Sequence, residues 1–232
     1  MTNWNRRRAT PNIGTDMAAT IAFDIQNDRR GDIRAILARS GSAGHPHVQS
    51  LLLPQALLHD LTDAVHAVCA VHGNHPCMID YAMARGIQIE TLPWLIQSST
   101  AFGYERAFLA NLTSAAGPLP STPGQAQTDA ALTQLRQTLE MLANSDRRGC
   151  ATGAVSALIL DWRTIRQLLV QAARRFGLSA PPNPMPEPLL DFETDENSLG
   201  LPRALGFGAT QLLVQHNGLW NLLEARASAR RG

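Results

Sequence analysis

Apolar residues recur along most of the chain at alternating steps of three and four, the spacing that gathers side chains onto one face of an α-helix. Leu58, Leu61, Val65, Val68 and His72 form the first such stripe and predict a helix over 54–72, with Pro54 in its first turn and Gly73 as a left-handed stop. A short helix over 76–85 follows. Leu95, Phe102 and Leu109, a heptad apart, predict a longer one over 91–112, and Leu132, Leu135, Leu139 and Leu142 another over 125–144. The most apolar segment is 148–176. Its first half, Cys150 to Leu160, is uncharged on every side, as a helix with several neighbours would be, and Gly149, Gly153 and Ala157 recur every fourth residue, where they allow close helix approach. Leu212, Leu219 and Leu223 place a closing helix over 209–230, and Gly177 stops the one before it.

The rest of the chain reads differently. Residues 1–50 look loosely organised, with a short apolar piece at Thr20 to Phe23, a helix over 32–40 and turn chemistry from Gly41 to His47. Gly117 to Gly124 is a Pro- and Gly-rich loop that no helix crosses. Leu178 to Pro202 holds six prolines and five acids, with no base before Arg203; it predicts an extended strap pinned by Leu189, Leu190, Phe192 and Leu199. The expected fold is all-α: an antiparallel bundle of about five to seven helices around a central apolar helix, with the long Pro-rich strap outside it. The bundle domain is expected over 51–232, with 178–208 as a loop within it, after an N-terminal segment over 1–50.

Composition narrows the chemistry. All 20 basic residues are Arg, and the absence of Lys excludes a pyridoxal phosphate Schiff base, a P-loop nucleotide site and Lys-based aldolase or kinase chemistry. A net charge of +1 argues against a nucleic-acid partner, since such a surface needs one-sided basic charge; the Arg residues at 6–8, 226, 230 and 231 read as solvated ends. Three cysteines make no disulfide framework, the Arg6–Arg8 triplet is not followed by an apolar signal core, and no stretch approaches the roughly 20 apolar residues of a membrane span. The expected setting is therefore cytoplasmic. A homo-oligomer is compatible with all of this.

Three segments carry a likeness: the Gly117–Gln125 loop, Ser145-Asp-Arg-Arg-Gly-Cys-Ala151, and Leu160-Asp161-Trp162. Together, over 54–177, they make the chain resemble an uncharacterised family of helical proteins from alphaproteobacteria. That family has no assigned activity, so the resemblance implies a helical fold and a bacterial source and carries over no functional residue.

Common catalytic motifs are missing, including His-Glu-x-x-His, Gly-x-Ser-x-Gly, Cys-x-x-Cys and Glu-x-x-His. Gly206-x-Gly208 lacks both a third glycine and a strand before it, so it is no dinucleotide fingerprint. Cys69, His72, His75 and Cys77 are zinc-ligand types, but their spacing fits no common zinc module; buried cysteines and a turn at His75–Pro76 explain them as structure. His59, Asp60, Asp63 and His66 lie off the apolar stripe of their helix, which predicts a solvated face. Asp63-x-x-His66 also lacks the paired Glu-x-x-His of a di-iron bundle.

The last set arises from polar residues placed on apolar stripes. Glu105 lies between Phe102 and Leu109, Asp161 between Leu158 and Ile165, and His216 between Leu212 and Leu219, while His72 ends the first stripe. Four helices thus each offer one ionisable group to the interior, where charge must be paired, metal-bound or held at a polar pocket. Trp94, Trp162 and Trp220 are available to wall such a pocket or simply to pack the core. Two functions follow as expectations: a binding or interaction protein acting through a surface or small polar pocket, or a metal-dependent or substrate-binding enzyme of ferritin-like or haem-oxygenase-like type.

Overall fold

The computed structural model describes residues 32–190 and 200–231, and the apolar piece at 20–23 lies outside them. Eight α-helices account for most of the described residues, and none of these residues is in a strand. They are α1 (Ile33–Ser40), α2 (Pro46–Leu52), α3 (Leu58–His72), α4 (Met78–Arg85), α5 (Leu92–Ala116), α6 (Gln125–Ala143), α7 (Cys150–Arg175) and α8 (Leu201–Arg231). Six of them, α3 to α8, fall within 51–232, where five to seven are expected; α1 is the helix expected over 32–40, and α2 begins within the stretch expected to be a turn.

Local chemistry explains the ends. Asp32 caps α1 by accepting from the backbone of Arg34 and Ala35. The His45 side chain caps α2 in the same way, and Pro46 opens that helix where a missing N–H costs nothing. Pro54 does not start α3: residues 54 and 55 form a turn, and Arg175 takes the carbonyls of Pro54 and Ala56 at 3.1 and 2.8 Å. Gly73 ends α3 with φ −78°, so the left-handed stop expected there is absent. Gly177, at φ +77°, is left-handed as its position after α7 requires.

α7 touches each of the other seven helices, and its first half is almost wholly buried. Its most extensive partner is α8. Two glycines set that seam. A Cβ added to Gly153 would stand 2.1 Å from the Leu205 carbonyl oxygen, and one added to Gly208 only 1.9 Å from that of Cys150. Gly208 is therefore a packing residue. α8 also begins earlier than expected, at Leu201 with Pro202 in its first turn, so the loop anticipated to residue 208 stops before it.

The strap over 178–190 runs back along α7 in extended form. Arg166 on α7 donates to the Pro181 carbonyl, Trp94 on α5 to that of Glu187 at 3.0 Å, and Ser156 on α7 to that of Leu189 at 2.7 Å. Leu178, Met185 and Leu190 pack against the core. Of the four anchors expected, Phe192 and Leu199 lie outside the described residues.

Candidate functional site

The structure gathers the four stripe-borne polar residues into one buried network. Asp161, 1% exposed, accepts from the Ser42 backbone N–H at 2.7 Å, from the Ser42 hydroxyl at 2.5 Å and from His216 Nδ1 at 2.6 Å. An ionised carboxylate only accepts, so His216 carries its hydrogen on Nδ1. Trp220 Nε1 closes this end by donating to the Ser42 hydroxyl at 2.7 Å. The His216 ring meets the His72 ring edge to face, with centroids 5.1 Å apart, and His72 packs on Trp162 at 5.4 Å. Trp162 Nε1 donates to Glu105 at 2.9 Å, and Glu105 is ion-paired with Arg166. The chain of contacts therefore crosses the protein from the turn at Ser42 to the strap at Pro181.

Burial shapes the charges. It would raise the Asp161 carboxyl, but the donors on His216 and Ser42 outweigh it and hold the group below the usual carboxylate range. Burial, with His216 beside it, pushes His72 well below the ordinary imidazole value, so His72 is neutral. Both His72 Nε2 and His216 Nε2 are buried without a partner among the described residues. An Asp-oriented imidazole with a free Nε2 is the form of a general base, yet the one hydroxyl bonded to this network, Ser42, stands on the carboxylate side. The cavity against His72 holds about 10 Å³, room for a single water.

The Cys69, His72, His75 and Cys77 cluster disperses. Cys69 borders a surface cleft, His72 turns into the ring stack, and His75, with a side chain 69% exposed, lies 3.1 Å from Asp80. Cys77 precedes α4 and its sulfur accepts from Arg106 at 3.3 Å; burial pushes its thiol up to about 11, away from the thiolate a metal needs. Among the described residues no group of three or more His, Cys, Asp and Glu is placed to hold a metal ion.

The set at 59–66 needs correction. The side chain of His59 is 44% exposed, but Asp63 is only 3% exposed and Asp60 7%, so the face expected to be solvated is covered. The last turns of α8 lie over it. Asp63 receives Arg226 Nε and Arg230 Nη1, each at 2.8 Å, and Asp60 receives Arg230 Nη2 at 2.7 Å. Arg226 also donates to Thr128 on α6, and Arg230 to Thr122 in the preceding loop, both at 2.9 Å. Burial would lower the Arg230 guanidinium, but Asp63 and Asp60 outweigh it and raise it.

Beside this cluster opens a cleft of about 450 Å³ between α3, α6 and α8. Ala67, Leu132 and Leu223 give it apolar walls, and Asp63, Thr128 and Arg226 a polar edge. Arg226, 4% exposed, leaves its Nη2 without a hydrogen-bond partner among the described residues, and Arg136 Nε, 3.4 Å from Glu140, is ion-paired without a hydrogen bond. Sequence reasoning missed Arg226 and Arg230 by reading them as a solvated end. Their spacing of four on one helix, against acids spaced by three on another, was the available signal.

No curated protein and no solved structure matches the chain. Residues 37–231, most of its length, match a family of unknown function, and the chain therefore belongs to DUF6975.

Proposed function

We propose that this protein binds a small organic molecule in the cleft between α3, α6 and α8 and acts by binding rather than catalysis. The observation that carries this reading is Arg226: a guanidinium fixed by Asp63 and Thr128 at the edge of a 450 Å³ cleft with apolar walls, a volume within the roughly 300–1,000 Å³ of ligand pockets. The polar network of Glu105, Asp161, His72 and His216 then serves as the internal brace that holds α3, α5, α7 and α8 in place. We read the helices as one antiparallel bundle over 51–232, with residues 32–50 laid against α7 and α8, in a cytoplasmic bacterial protein whose partner is a small molecule rather than nucleic acid.

Filling the cleft tests this. Ala70 lines it and is exposed, so Ala70→Trp occupies the space without touching the core. A fluorescence or calorimetric screen of small organic molecules is expected to find saturable binders of the parent protein that the variant loses. Binders unaffected by Ala70→Trp would overturn the assignment to this cleft.

A second reading rests on the Asp161–His216 pair, whose free Nε2 has the form of a base or a metal ligand. It makes the protein a bundle enzyme of ferritin-like or haem-oxygenase-like type, with Glu105, Asp161, His72 and His216 around the reacting centre. Metal analysis of the purified protein separates the two: near-stoichiometric iron, manganese or zinc, lost in His216→Gln, would favour the enzyme.

A further inference from the structure

We infer that the molecule taken by the cleft is a monocarboxylate with an apolar body, read by N–H groups of Arg226 and Arg136 that make no hydrogen bond within the protein; this rests on the cleft being the binding site. The polar groups around it are unevenly satisfied. Asp63 already holds two guanidiniums, Asp129 accepts from Gln125 at 2.8 Å, and His66 bonds the Gly117 carbonyl at 2.8 Å. Among the buried atoms of the lining, what is left over is donors: Arg226 Nη2, and Arg136 Nε, which is ion-paired with Glu140 at 3.4 Å without a hydrogen bond. A ligand that completes the site must therefore bring acceptors. Leaving such donors unpaired in a closed complex is costly, and charge-assisted hydrogen bonds are the strongest way to fill them.

Charge selects among acceptors. The cluster under α8 sets Arg226, Arg230 and Arg231 against Asp60 and Asp63, three guanidiniums to two carboxylates, while Arg136 is balanced by Glu140. Asp129 on the lining brings the count level, so every added negative charge goes unbalanced, and the single charge of a carboxylate is disfavoured less than the two of a phosphate. Geometry agrees. Arg226 spends Nε on Asp63 and one Nη1 hydrogen on Thr128, and Nη2 is the nitrogen left without a hydrogen bond. A carboxylate has one oxygen for Nη2 and one for Arg136. Leu119, Leu132, Leu223, Ala67 and Ala70 provide the apolar surface for the body behind it.

Octanoate and 3-phenylpropanoate, each paired with its primary amide, and inorganic phosphate are the probes, titrated calorimetrically into the full-length protein. The carboxylates are expected to bind more than about tenfold more tightly than their amides. Phosphate is expected not to compete. Arg136→Gln, at a half-buried position outside the Asp63 cluster, should remove most of that preference while leaving amide affinity unchanged, and Ala70→Trp should abolish binding of all four organic probes. Arg226→Gln should do the same as Arg136→Gln, and circular dichroism shows whether it folds; Arg136→Gln decides the matter if it does not. Amides binding as well as acids, both lost in Ala70→Trp, would overturn the carboxylate while keeping the cleft, as would competition by phosphate. No saturable binding by any probe, or binding indifferent to Ala70→Trp, would overturn both.

Discussion

The buried network along α7 and the cluster beneath the end of α8 use the same materials, carboxylates answered by cationic or imidazole groups, and differ in what surrounds them. Asp161, His216, His72 and Glu105 are sealed among Trp162, Phe102 and Trp220, with space for little more than one water beside His72. Asp63 and Arg226 are almost as buried, but they line a cleft of about 450 Å³. Buried polar groups alone do not make a binding site. A donor left over at the edge of a space does, and only the second region has both.

The comparison breaks first at Asp161. Its loss leaves the Ser42 N–H, the Ser42 hydroxyl and His216 Nδ1 unpaired in the core, so Asp161→Ala is expected to cost about 3–5 kcal/mol in denaturant unfolding, the penalty for stranding a buried partner. A loss under about 1 kcal/mol would show that the network is not the brace described above. Next comes the seam that brings His216 to Asp161. Gly208→Ala puts a methyl against the Cys150 carbonyl and must push α8 outward, at about 1–3 kcal/mol by the same measurement, whereas Ala70→Trp in the open cleft should be close to neutral.

Acidification sharpens the contrast. The folded-state value of His72 is depressed, so below about pH 6.5 the unfolded chain takes up a proton that the folded chain refuses. Stability from this group is full above that pH and falls as the pH drops; Asp161, also depressed, adds a loss in the same direction at still lower pH. Unfolding free energies at pH 7.5 and 5.5 are expected to differ in the parent and the difference to shrink in His72→Gln, with His47, also lowered by burial, supplying a remainder; an unchanged difference would place the titrating group elsewhere. The smallest effect belongs to the strap. Arg163 pairs with Glu187 at 2.7 Å, but the side chains are 49% and 85% exposed, so Arg163→Ala should cost under about 1 kcal/mol. Limited proteolysis should find the strap still protected in that variant, because backbone carbonyls at Pro181, Glu187 and Leu189 hold it.

What could be read in the sequence was local. Hydrophobic periodicity needs only the residues of one helix, and it placed α3 through α7 to within a few residues at each end. It also found Glu105, Asp161, His72 and His216, because a position inside an apolar stripe is buried whichever helix comes to cover it. It was blind where burial depends on a distant partner. The polar face of α3 looks solvated until the end of α8, more than 160 residues later, lies across it and answers Asp60 and Asp63 with Arg230 and Arg226. α2, seven residues long, has too few turns for a periodicity to register and is stable only on α7 and α8. Ser42 and Arg166 joined the core network through contacts across 119 and 61 residues that no spacing encodes. Helix identity follows from neighbours along the chain, whereas the pairing of charges, the path of the strap and the existence of the cleft follow from which faces meet. Only the tertiary structure decides that, because a charge is paid out of water by whatever reaches it in space.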